Sequence, residues 1–156
     1  MLTQEVQTYI RSSVLCWLAT CNRQGEPNVS PKEVFTYWDE TTLLIANIAS
    51  PQSVSNITEN PKVCVSFINI FIQKGFKLKG VATIISRQDA AYTAKVVPLR
   101  SMVADAFPIL SVIEIKVNKV ESIKAPSYFL YPNITEEAQI NNAMETYRLR
   151  LSKDLR

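Results

Sequence analysis

The chain contains no histidine. That absence excludes Ser-His-Asp and Cys-His catalysis, histidine-ligated haem and the common mononuclear zinc enzymes. Glycine is nearly as scarce, with only Gly25, Gly75 and Gly80 in 156 residues. None of the three builds a G-x-G-x-x-G turn or a P-loop, so the common nucleotide-binding signatures are missing. The three cysteines, Cys16, Cys21 and Cys64, are odd in number and form no C-x-x-C pair. Each lies in an apolar, strand-like run, where cysteine behaves as a small buried hydrophobe, and no metal site is expected. No run reaches the eighteen apolar residues of a membrane span. The opening MLTQEVQTYIRSS has no basic segment followed by an apolar one, so no signal peptide is expected and the expected address is the cytoplasm. A chain this poor in acid–base side chains is expected to leave any chemistry to a cofactor.

What remains is ordinary for a globular protein: 47% hydrophobic and 20% charged residues, with a mild net charge of +3. The length fits one domain spanning 1–156. Thr3 is placed to cap a helix through Ser13, with Val6, Tyr9 and Ile10 on one face. Val14–Cys21 is apolar on both faces and reads as a strand covered on both sides. Asn22–Glu26 forms a hairpin turn in which Gly25 supplies a positive φ. Alternation then predicts a strand from Pro27 to Trp38, with Asn28, Ser30, Lys32, Val34 and Thr36 on one face. Further strands are expected at Leu43–Ile48, Val63–Ile72, Gly75–Ser86 and Ser111–Ile123. A helical stretch from Gln88 to Ala106 should be broken in two by Pro98. Thr135 should cap a last helix over 135–152, with Ile140, Ala143, Met144, Tyr147 and Leu151 as its apolar stripe. This order predicts a mostly β fold with flanking helices, a small antiparallel barrel.

The chemistry concentrates in NIASPQSVSNITENP, residues 47–61. Ser50 suits an N-cap and Pro51 the first helical position. The backbone N–H groups of Gln52, Ser53 and Val54 would then point from the helix start, where the partial positive charge favours an anion. No acidic residue occupies that first turn; Ser53 and Asn56 add polar groups instead. An ordinary capped helix explains the same residues. Upstream, Pro31 belongs on a strand edge or bulge, where a ligand can approach the backbone. Ser30 and Lys32 share a face and can reach an anion or an electron-rich ring. Lys32 also fits the role of a solvated lysine protecting a strand edge.

The runs VLCWLATCNRQGEPNVSPKEVF, SPQSVSNITENPKVCVSF and GFKLKGVATI resemble, in that order, the opening hairpin, phosphate-binding helix and next strand of the flavin split barrels related to pyridoxamine 5′-phosphate oxidase. IKAPSYFLYPNITEEAQINNAMETY resembles the tail of one bacterial branch. The resemblance implies an antiparallel split β-barrel that dimerises and holds FMN at the subunit interface. It implies flavin contacts at Ser30, Pro31, Lys32 and Glu33, a second contacting segment at Ile48, Ala49 and Ser50, and a phosphate site at Gln52, Ser53 and Asn56. Many relatives carry Arg or Lys where this chain has Gln52 and Ser53, and Lys77 or Lys79 is expected to supply the missing charge. Lys32 is expected beside the N1–C2 edge of the flavin. True pyridoxamine-phosphate oxidases carry further basic and histidine residues near the C-terminus, so vitamin B6 phosphate is not expected as substrate.

Three functions compete: an FMN-dependent oxidoreductase acting on a small molecule, a non-catalytic flavin carrier or sensor, and a small barrel binding nucleic acid. The last would need a basic aromatic face from Lys74, Lys77, Lys79, Phe71 and Phe76. A mild charge and no RNP-like run speak against it, and no nucleic-acid or membrane partner is expected. A homodimer is expected on separate grounds. Trp17, Phe35, Tyr37 and Trp38 are more aromatic surface than one small barrel readily hides.

Overall fold

The computed structural model describes residues 1–104 and 107–149. Along them run α1 (Gln4–Ser12), β1 (Cys16–Cys21), β2 (Pro27–Lys32), β3 (Phe35–Asp39), β4 (Thr42–Asn47), α2 (Pro51–Glu59), β5 (Lys62–Asn69), β6 (Lys74–Ser86), α3 (Tyr92–Arg100), β7 (Ser111–Lys124), α4 (Ser127–Leu130) and α5 (Glu136–Thr146). The seven strands form one sheet, ordered β2-β1-β5-β6-β7-β4-β3, and every pairing is antiparallel.

The two ends of that order are neighbours in the chain. Only Glu33 and Val34 link β2 at one edge to β3 at the other. Three Cα–Cα steps of about 3.8 Å hold Lys32 and Phe35 within about 11 Å of each other. The sheet must therefore curl until its edges approach, and it stays open between them. This is a split barrel.

The single strand expected from Pro27 to Trp38 is thus two strands with a bend at Glu33–Val34. Burial alternates from Lys32 through Glu33 to Val34 and then breaks, because Val34 and the adjacent Phe35 are both buried, one in each core cluster. Val34 extends the β3–β4 ladder by one rung, where its carbonyl accepts the Ala46 N–H at 2.9 Å. Pro31 lies on an edge strand, as its missing donor requires.

β4 is buried on both faces and divides the core in two. Leu43 and Ile45 point into the barrel with Leu18, Val65, Phe67 and Leu78, and Leu2, Val6 and Ile10 close that side. Leu44 and Ala46 point the other way, under α3, with Leu99, Ile109 and Val112. α1 begins where Thr3 Oγ1 accepts the Val6 N–H at 3.4 Å. Gly25 has φ +85° in the β1–β2 turn, and Gly80 lies at a bulge where a Cβ would meet the Lys116 carbonyl at 2.3 Å.

Several expectations need correction. β1 is covered on its barrel face only, and Trp17 is 47% exposed on the other. Phe35 is buried in the barrel core and adds nothing to the aromatic surface. Pro98 does not divide α3. The helix starts later than expected, at Tyr92, and ends two residues after Pro98, which therefore falls in its last turn. The C-terminal helix ends at Thr146, Tyr147 is exposed, and Leu151 lies outside the described residues. Among the described residues no helix is long and apolar enough to cross a membrane.

Candidate functional site

A cleft of about 450 Å³ opens at the split of the barrel. The end of β2 supplies Pro31 and Lys32, followed by Glu33 and Val34. The end of β4 and the turn after it supply Ala46, Ile48, Ala49 and Ser50. Met102, Val103, Ala104 and Phe107, on the connection from α3 to β7, form the opposite wall. The volume lies within the range of about 300–1,000 Å³ that holds small ligands and cofactors.

Lys32 sits at the floor and is 5% exposed. Its ammonium donates to Ser30 Oγ at 2.8 Å and to Ser50 Oγ. Among the described residues no carboxylate comes within ion-pair distance of it. Burial lowers its pKa below the ordinary lysine value, a shift opposed only by the neighbouring Cys16 thiol. Burial pushes that thiol up to about 12, so it stays protonated and inert.

The second feature is the start of α2. Asn47 holds the turn, with its Oδ1 accepting the Ser50 N–H at 3.2 Å and its Nδ2 donating to Ser111 Oγ at 2.9 Å. Ser50 occupies the N-cap position but makes no side-chain cap, because its hydroxyl is turned to Lys32. The Val54 N–H is used by the Ser50 carbonyl at 3.2 Å, contrary to expectation. The N–H groups of Gln52 and Ser53 find no acceptor among the described residues. The ammonium of Lys32 therefore meets the positive end of a helix dipole. Two positive features converge there in a half-dry place, an arrangement that an anion would stabilise.

Ser53 and Asn56 are both buried and turn inward. Asn28 Nδ2 donates to Thr20 Oγ1 at 3.3 Å and to Ser53 Oγ at 3.4 Å. Asn56 Nδ2 donates to Thr20 Oγ1 at 3.1 Å, and Gln52 Nε2 to Asn56 Oδ1 at 2.8 Å. This network fixes the helix start on β1 and β2 and engages the Gln52, Ser53 and Asn56 side chains, which leaves the backbone N–H groups of Gln52 and Ser53 as the donors without a partner among the described residues.

The structure thus gathers Pro31, Lys32, Glu33, Ile48, Ala49 and Ser50 at one cleft, with Ser30 joined to it through Lys32 and Gln52, Ser53 and Asn56 on the helix that starts there. Lys79 is not among them. It lies on the outer face of β6 and, with Lys77 and Lys119, pairs with Glu121 at 3.5, 3.3 and 2.9 Å. It lines a different depression, with Cys21 and Cys64. The register puts Lys79 opposite Cys64, and the curvature that turns this face away from the split is invisible in a linear pattern. The basic aromatic face for nucleic acid is not assembled either. Phe76 is a core residue and Lys74 is paired with Glu136 at 2.6 Å. The far wall of Met102, Val103, Ala104 and Phe107 escaped sequence reasoning because its first three residues fall where a helix was expected and Phe107 just beyond it. A Met-Val-Ala run closing on Phe107-Pro108 was the available signal.

An open seven-stranded antiparallel barrel with a cleft at its split defines the split-barrel class. The chain belongs to the pyridoxamine 5′-phosphate oxidase family, whose profile matches residues 2–124. Among solved structures it is similar to HupZ of Group A Streptococcus, with TM-score 0.69 and 25% identity over 80% of this chain and 96% of that one. It is similar in fold to an FMN-binding protein from Syntrophomonas wolfei subsp. wolfei, with TM-score 0.69 and 15% identity over 80% and 87% of the two chains. It is also similar in fold to the haem storage protein HutZ from Vibrio cholerae, with TM-score 0.61 and 20% identity over 78% and 94%. No curated protein matches it in sequence.

Proposed function

We propose that the chain binds FMN in the cleft at the barrel split and works as a flavin-dependent oxidoreductase on a small molecule. The observation that carries this is the buried Lys32 ammonium at the start of α2, with hydroxyl partners and no carboxylate partner among the described residues. The residues fit the group. The Gln52 and Ser53 N–H groups and Lys32 would hold the phosphate, and the apolar backbone-rich edges at Pro31 and Ile48–Ala49 would take the ring. Charge assistance from Lys32 at the helix start substitutes for the Arg or Lys that many relatives carry one or two positions later. Bound flavin supplies two-electron redox chemistry; the protein positions the ring and excludes water. Haem is the weaker reading, because the chain has no histidine for an axial ligand.

The same proposal includes a homodimer with FMN at the subunit interface. Trp17, Val29 and Val81 are exposed on the outer face of β1, β2 and β6, an apolar area that a second copy would cover. Extraction of the purified protein followed by mass spectrometry and a visible spectrum tests the cofactor. FMN recovered near one equivalent per chain supports it, and a protein that neither carries nor takes up FMN refutes it.

A further inference from the structure

We infer that the outer part of the cleft admits an uncharged or cationic planar aromatic co-substrate and rejects phosphorylated and other anionic ones; this rests on the FMN reading above. Among the described residues the wall facing Lys32 consists of Met102, Val103, Ala104 and Phe107, none of which carries a polar side chain. The connection carrying it is not short of burial. Its neighbours Leu99 and Ile109 are fully buried in the second core cluster, whereas Met102 is 48% and Phe107 53% exposed. The chain therefore anchors this segment with two residues and leaves two large apolar side chains uncovered on the cleft. Exposed apolar surface that lines a concave site is surface kept for a ligand, and a ring against Phe107 with the Met102 thioether beside it suits aromatic packing.

Charge sets the other half of the selection. Among the described residues the cleft carries two charged side chains, Lys32 and Glu33. Lys32 is buried and bound to Ser30 and Ser50 at the helix start, where the FMN phosphate is proposed. Glu33 is exposed and has no cation within ion-pair distance among the described residues. With the cation committed to the phosphate, an entering molecule meets an apolar wall and an unpaired carboxylate. A second phosphate would be repelled there, and a neutral or cationic ring would not.

The test uses FMN-loaded protein and three probes: naphthalene-2-carboxamide, naphthalene-2-sulfonate and pyridoxamine 5′-phosphate. Binding is read by equilibrium dialysis and by the shift of the flavin absorbance band. The carboxamide is expected to bind about tenfold more tightly than either anion. Glu33→Gln is expected to shrink that preference to less than about threefold, and Phe107→Ala to weaken the carboxamide by roughly threefold to tenfold. FMN binding is measured first for every variant. A wild-type chain that takes up no FMN overturns the cofactor reading and this inference with it. A chain that binds FMN but takes the sulfonate or pyridoxamine 5′-phosphate as tightly as the carboxamide overturns this inference alone. A preference unchanged in Glu33→Gln, or carboxamide affinity unchanged in Phe107→Ala, likewise overturns it.

Discussion

Replacing Lys32 with methionine keeps much of the stem's bulk and deletes the charge, and it should move two observables in opposite directions. In the flavin-free protein Lys32 is 5% exposed and its ammonium has only hydroxyl partners among the described residues. Its removal relieves a desolvation penalty of about 1–3 kcal/mol. For a chain of this size, that raises the melting temperature by roughly 2–4 °C per kcal/mol. Burial lowers the Lys32 pKa from its ordinary 10.5. The folded protein thus gives up this proton before the unfolded chain does. The penalty is present in full at neutral pH and is relieved as the pH rises through the lowered folded value toward 10.5. The stability gap between mutant and wild type should therefore close at alkaline pH. With FMN the sign reverses. A phosphate charge about 4 Å from the ammonium at an effective dielectric of about 20 gains about 4 kcal/mol in gross interaction. Screening and competing water leave about 2 kcal/mol, a roughly thirtyfold loss of affinity in the mutant. Thermal unfolding of the flavin-free protein from pH 7 to 10 and fluorescence titration with FMN measure both. A destabilised mutant with unchanged FMN affinity would refute the reasoning. A potentiometric titration locates the charge along the flavin. A midpoint potential within about 20 mV of wild type places Lys32 at the phosphate, whereas a clear negative shift places it beside the N1–C2 edge, because only that edge gains charge on reduction.

Ser53→Ala should cost under about 1 kcal/mol in melting experiments, since the bond it loses to Asn28 is long at 3.4 Å. Ser53→Asp buries a carboxylate at a position 1% exposed and should lower both the melting temperature and the FMN affinity by clearly more than the alanine change; equal effects would place the phosphate elsewhere. Gly80→Ala should destabilise by more than about 2 kcal/mol in urea unfolding, because its Cβ would meet the backbone carbonyl of Lys116 at 2.3 Å. Trp17→Lys should convert the proposed dimer to an 18-kDa species by light scattering at micromolar concentration, whereas a wild-type chain already running at its monomer mass of 17.6 kDa rules out the interface.

Local chemistry made much of this protein legible in one dimension. Thr3 and Thr135 mark helix starts because a threonine hydroxyl satisfies a backbone N–H three residues on, a relation contained within one turn. Gly25 marks the hairpin because a positive φ favours glycine. The strands followed from period-two burial, and Pro31 announced an edge because it cannot donate to a ladder. The absence of histidine and of glycine-rich loops narrowed the chemistry before any contact was known. Tertiary structure decided the rest. The break at Glu33–Val34 puts the adjacent Val34 and Phe35 into separate cores, a division that exists only because β2 and β3 take opposite edges of the curled sheet. That curvature brings Lys32 to Ser50, eighteen positions away, and turns Lys79 to the outer face, although lysines on strands look alike in sequence. The wall of Met102, Val103, Ala104 and Phe107 joins the cleft because Leu99 and Ile109 are buried in the core under α3, and burial of that kind is a property of the packed molecule rather than of any run of residues.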